Sequence, residues 1–310
     1  MRLTHPLLAA LCALISIPFA PTQAGAADGA PKKERLVVMG GPITEIVFAL
    51  GAEADIVATD RTSLYPERAQ KLPSVGVYRA ISVEGVLSVN PTKIISGSGL
   101  GPAAAVKQLK TCGIPLVIVE NPKSAETLFS AIEILGREVS REKEATALAA
   151  KIRAQFAEVK KLTLTKPAPR VVFLMGMGGS ASAAGTGTQA DGIVTLAGGN
   201  NLFSEFRGYK QISEEALLKA APDIILVASH TTQGDVAAPP KPKDFLARLG
   251  FKSVGALGKT KVVPIDIGEF LIIGPRAGDT TLKLAKIFYE DTPAADGTVG
   301  AVTTAKNQAK

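Results

Sequence analysis

Cysteine, histidine and tryptophan are all scarce: the 310 residues hold two Cys, two His and no Trp. Two Cys cannot build a disulfide scaffold. Two His, one of them at position 5, exclude the histidine-rich cages that grip zinc or copper. Aromatics make up 5% of the chain, too few for a platform on which nucleic-acid bases stack. Acids are the minority charge, 28 against 35 Lys and Arg, for a formal +7. The basic residues are scattered, so the excess is no nucleic-acid footprint. Acid pairs at a convincing spacing, a G-x-S-x-G elbow and a Cys–His couple are also missing, so no catalytic constellation is legible. What remains is 46% hydrophobic, with 30 Gly and 20 Pro. That is material for one large or two medium globular domains.

The first 26 residues contain no acid. Arg2 precedes the apolar run Leu7–Ile17, and Ala24 and Ala26 offer a small-residue cleavage site. This pattern predicts a signal peptide over 1–26 and export to a periplasm. Leu11 before Cys12 argues against a lipoprotein. No later run reaches about 18 uninterrupted apolar residues, so no membrane insertion is expected.

Short apolar runs at Arg35–Met39, Asp55–Thr59, Lys93–Ser96 and Pro115–Val119 read as buried strands, each followed by a loop and a helical pattern. The grammar returns at Arg170–Met175, Asp223–Ala228 and Lys261–Ile265. Such alternation predicts mainly parallel α/β sheets. Residues 81–95, ISVEGVLSVNPTKII, also align with 212–226, ISEEALLKAAPDIIL, at a constant offset. Ile81/Ile212, Ser82/Ser213, Glu84/Glu215, Leu87/Leu218, Pro91/Pro222 and Ile94/Ile225 are identical pairs. In each copy Ser can cap a short helix whose first turn carries the Glu. The repeat predicts two Rossmann-like lobes, 34–136 and 167–290, facing each other across a ligand cleft. One long rigid helix over 137–166 joins them, with Leu148, Ile152, Phe156 and Val159 at helical spacing. The small polar stretch 291–310 reads as a disordered tail.

Ligands of open α/β sheets sit beyond the carboxyl ends of the strands. The loop DRTSLYP, Asp60–Pro66, holds the strongest candidate there. A ferric ion can displace the phenolic proton of Tyr65 and bind the phenolate, a state that the guanidinium of Arg61 or Arg79 would favour. The plain alternative is a ring packed against its lobe. A second loop, GMGGSASAAG (176–185), fits G-x-G-x-x-A, but no acid follows at the spacing a dinucleotide site needs. Its glycines, Gly178 among them, instead allow close approach to something flat, with Met177 as a weak candidate iron contact. His230 and Arg276 complete the candidates: a lone loop His, and a guanidinium able to neutralise ligand carboxylates at the rim.

The run DRTSLYP…KLPSVGVYRAISVEGVLSVNPTKII, with GTGTQADGIVTLAGGNN, resembles the periplasmic haem-binding proteins of bacterial haem ABC importers, the HmuT type. The likeness covers roughly 34–290. It implies that Tyr65 is the axial ligand of the haem iron and that Arg79 lies close to it. It also implies that Glu84 and Glu215 dock into the two permease subunits, which an ATPase drives. Some relatives carry a His in the glycine loop where this chain reads LMGMGG; one haem is therefore expected, bound by a monomer. The rivals are a ferric-siderophore or cobalamin binder of the same class, an exported cleft enzyme, and a soluble haem chaperone.

Overall fold

Four short apolar runs make the first sheet. Leu36–Met39 (β1) is LVVM with every residue buried, as a strand covered on both faces requires. It pairs in parallel with Ile56–Thr59 (β2) and Lys93–Gly97 (β3). Leu116–Val119 (β4) completes the order β2-β1-β3-β4. Helices Gly41–Ala49 (α1), Val83–Leu87 (α2), Ala103–Thr111 (α3) and Ala125–Glu138 (α4) connect and cover these strands. The structure, a computed structural model, describes residues 34–164, 166–176, 180–229, 242–252 and 257–290. The expected signal peptide and tail lie outside the described residues.

The joining helix, Glu142–Thr163 (α5), starts later than its composition indicates. Arg137 and Glu138 end α4, and the chain reverses through Ser140 at φ 54°. Gly136 permits the reversal, because a Cβ there would stand 2.5 Å from that of Ala145. Helix α5 spans two cores. Ile152 is buried with Leu36, Ile46 and Leu135 of the first lobe, whereas Val159 is buried with Val171 and Phe173 of the second.

The second sheet is built on Arg170–Met175 (β5), with Ile224–Ser229 (β9) and Lys261–Asp266 (β10) parallel beside it. Ser182–Ala184 (β6) and Tyr209–Gln211 (β8) add two antiparallel strands, giving the order β10-β9-β5-β6-β8, and Asn200–Asn201 (β7) pairs with β5. The 176–185 segment is thus partly a strand rather than a loop. Its Ser-Ala-Ser-Ala alternation buries Ala181 and Ala183, but these small residues are weak strand formers, so the pairing leans on the neighbouring strands. Helices Gln189–Leu196 (α6), Glu214–Ala220 (α7), Pro242–Arg248 (α8), Ile267–Phe270 (α9) and Ala277–Tyr289 (α10) complete the lobe.

The internal repeat is real in three dimensions. Ser82 caps α2 by accepting from Gly85 N, and Ser213 caps α7 by accepting from Ala216 N. Glu84 and Glu215 stand exposed in the first turns. Each copy then turns through a left-handed residue before its proline, Asn90 at φ 49° and Ala221 at φ 44°.

Candidate functional site

Strand β2 delivers the chain into the Asp60–Pro66 loop, and Asp60 holds that loop in shape. Its carboxylate is buried and accepts from Gly40 N at 2.8 Å, Thr62 N at 3.1 Å, Thr62 Oγ1 at 2.7 Å and Ser63 Oγ at 2.7 Å. Ser63 and Thr44 of α1 share a further hydrogen bond of 2.7 Å. With its base pinned, the loop projects Leu64 and Tyr65 outward, 55% and 46% exposed. A large aromatic ring displayed on a fixed loop is available to a ligand. The Tyr65–Pro66 peptide is cis.

The guanidinium facing this ring is that of Arg276, 4.0 Å from the ring centroid. It comes from the second lobe and binds Glu45 of α1 through two bonds, Nη2 to Oε1 at 2.7 Å and Nε to Oε2 at 3.0 Å. A third bond, Nη2 to the Gly268 carbonyl at 3.0 Å, fixes it to its own lobe. Burial holds the Glu45 carboxyl above its ordinary range, and the hydrogen bonds and charge of Arg276 offset only part of this. For Arg276 burial opposes the charge. Bonds and attraction from Glu45, then Tyr65 and Glu269, outweigh it and hold the guanidinium above its usual value. Desolvation thus wins at the deeper partner and pairing at the shallower one, where the side chains are 2% and 21% exposed. The carboxyl is the group that titrates in an accessible range, so its direction governs the pH response. Arg276 is therefore not the free rim cation that its loop position implied: the acid inside α1 claims it.

Arg79 takes a different place. Its guanidinium lies 4.5 Å from the ring centroid of Tyr78, and Asn121 Nδ2 donates to the Tyr78 hydroxyl at 3.3 Å. These residues line a cavity of about 350 Å³ between the lobes, bounded on the far side by Thr188, Gln189 and Tyr209. Gly41 keeps the wall thin, since a Cβ there would meet the Thr62 carbonyl at 3.0 Å and Ile272 at 3.6 Å. Another hollow, about 280 Å³, lies beside Pro222 and Thr260 at the amino ends of β9 and β10, remote from the carboxyl-end loops where ligands of such sheets bind.

Arg61 is exposed, and its backbone N donates to Gly76 O at 2.7 Å. Met177, Gly178 and His230 lie outside the described residues. Among the described residues no cluster of three or more His, Cys, Asp or Glu could hold a metal ion, and no helix is long and apolar enough to cross a membrane. Reasoning from sequence passed over Asp60, Glu45, Lys123 and Tyr209. Glu45 had a visible signal, a lone acid inside the apolar helix GPITEIVFA, which cannot be buried without a partner.

Two α/β lobes bridged by a helix, with strand-end loops converging on a cavity between them, define a protein that holds a small ligand between two halves. The periplasmic binding protein family matches residues 36–266, and the chain belongs to that family; it is a binding protein and not an enzyme. The chain is 27% identical over 267 residues to the uncharacterized ABC transporter substrate-binding lipoprotein YvrC of Bacillus subtilis (strain 168), covering 84% of this chain and 81% of that one. It is 28% identical over 229 residues to a vitamin B12-binding protein of Yersinia pseudotuberculosis, covering 73% and 78%. The apo structure of the periplasmic heme-binding protein RhuT from Roseiflexus sp. RS-1 superposes with a TM-score of 0.73 at 31% identity, over 83% of this chain and 98% of that one.

Proposed function

We propose that this protein captures one ferric haem between its lobes in the periplasm and hands it to an inner-membrane ABC importer. The phenolate of Tyr65 is the axial iron ligand. The observation that carries this reading is the exposed Tyr65 ring, held on the Asp60 loop beneath the guanidinium of Arg276. The ring stands open on a fixed loop, where its phenol oxygen is available as the hard anionic ligand that trivalent iron takes. The likeness to a heme-binding structure at 31% identity supports the same cargo. The exposed pair Glu84 and Glu215, one per lobe at equivalent helix starts, suits a permease with two similar halves. Residues 1–26 act as the export signal, and the carrier works as a monomer.

The test is spectroscopic. Purified protein mixed with haemin develops the charge-transfer band of phenolate-bound high-spin iron, and Tyr65→Ala abolishes it and weakens binding by tenfold or more, on the order of a lost charged ligand. An unchanged spectrum and affinity in Tyr65→Ala removes the assignment. Resemblance to a vitamin B12-binding protein favours cobalamin as the second reading, and competition of cyanocobalamin against haemin separates the two.

A further inference from the structure

The cavity between the lobes carries a charge that the iron ligand does not explain. Among the described residues its wall includes two cations, Arg79 and Lys123, and no acidic side chain. Among the described residues neither cation has a carboxylate partner. Two basic groups of the second lobe are engaged elsewhere: Arg276 by Glu45, and Lys210 with its ammonium 5.1 Å from the Phe206 ring centroid. Burying two unpaired cations when the lobes close on a neutral cargo would be costly. Among the lining groups, the two phenols of Tyr78 and Tyr209 are able to donate hydrogen bonds. Tyr78 accepts from Asn121 and keeps its own O–H to give. Burial pushes the Tyr209 phenol up, only partly countered by a hydrogen bond from Thr188, so at neutral pH Tyr209 also remains a donor.

We propose that this cavity is a carboxylate-binding subsite, in which Arg79 and Lys123 of the first lobe pair with the anionic arms of the cargo while Tyr209 of the second lobe donates to them. The proposal rests on the haem reading above and deepens it by assigning the two propionates to the cavity and the iron to Tyr65. It also gives the cleft a means of selection. An iron porphyrin with two carboxylates satisfies both cations, whereas cobalamin, whose periphery is built of amides, leaves them without matching charge.

The experiment compares ferric haemin with haemin dimethyl ester, in which both carboxylates are blocked and the iron is untouched. The parent protein is expected to bind haemin at least about tenfold more tightly than the ester, the scale of one charge-assisted hydrogen bond. In Arg79→Gln/Lys123→Gln that preference falls to within about threefold, while the phenolate charge-transfer band keeps its position. Tyr209→Phe lowers the preference by a smaller factor without moving the band. Equal affinity of the parent for both compounds, or a double variant that discriminates as the parent does, overturns the subsite and leaves Tyr65 ligation standing. A parent protein that takes up neither porphyrin overturns the cargo reading and the subsite together.

Discussion

Replacing Arg276 by Met tests how the lobes are tied together. Met keeps much of the apolar stem but removes the only cation that reaches Glu45 among the described residues, together with bonds of 2.7 and 3.0 Å and the bond to Gly268. Breaking a buried ion pair from one side costs about 3–5 kcal/mol, because the remaining charge stays desolvated. Glu45 can escape part of this by taking up a proton, at about 1.4 kcal/mol per pKa unit. Burial already holds its carboxyl above the ordinary range. A loss of about 3 kcal/mol at pH 7 is therefore expected, equivalent to a melting temperature lower by about 6–12 °C for a chain of this size. The sign with pH is fixed by linkage. An acid whose folded pKa is raised binds more protons folded than unfolded, so stability falls as pH rises through the window from 4.5 up to the raised value. The cation's removal widens that window, and the variant's deficit should shrink between pH 7 and pH 5. Urea unfolding at several pH values measures it. A deficit below about 1 kcal/mol at neutral pH, or one that is flat or grows on acidification, would refute this account of the pair.

Three further outcomes follow from the geometry. Asp60→Ala should cost about 2–4 kcal/mol, since it strands the buried Gly40 N–H and the half-buried Thr62 N–H, and it should weaken haemin binding by loosening the loop under Tyr65; urea denaturation and haemin titration read the two effects. Ala221→Gly should stabilise by about 0.5–1 kcal/mol, because at φ 44° the alanine pays a left-handed penalty that glycine escapes; thermal melting checks it. Charge reversal of Glu84 and Glu215 to Lys should abolish haem-dependent growth through the importer while haemin binding in solution stays unchanged.

Seven strands were legible because their apolar runs are short and flanked by loop residues; β5 falls on the predicted bounds, and the others shift by one residue at one end or both, although β4 leaves Ile118 exposed instead of buried. The capped helices at Ser82 and Ser213 were legible for a different reason, since a repeated sequence reports a repeated environment. Antiparallel β6 and β8 were not, because Ser-Ala-Ala and Tyr-Lys-Gln lack strand patterning and take their pairing from neighbours. The start of α5 was blurred by residues 137–141, which favour helix locally although the chain must turn there. At the site, Tyr65 could be singled out by its chemistry and its loop. Which arginine faces it could not, because the answer depends on an acid 231 positions from Arg276.

Ile273 and Ala277 belong to the second lobe by sequence, yet both are fully enclosed among Leu36, Ile46 and Ile132 of the first. A fragment ending at Thr163 would leave a gap in its own interior, and one starting at Arg170 would expose those apolar groups to water. The two halves are therefore not separable modules, and heat should melt them in one cooperative step. A shared interior of this kind opposes the wide swing of independent bodies on a flexible tether.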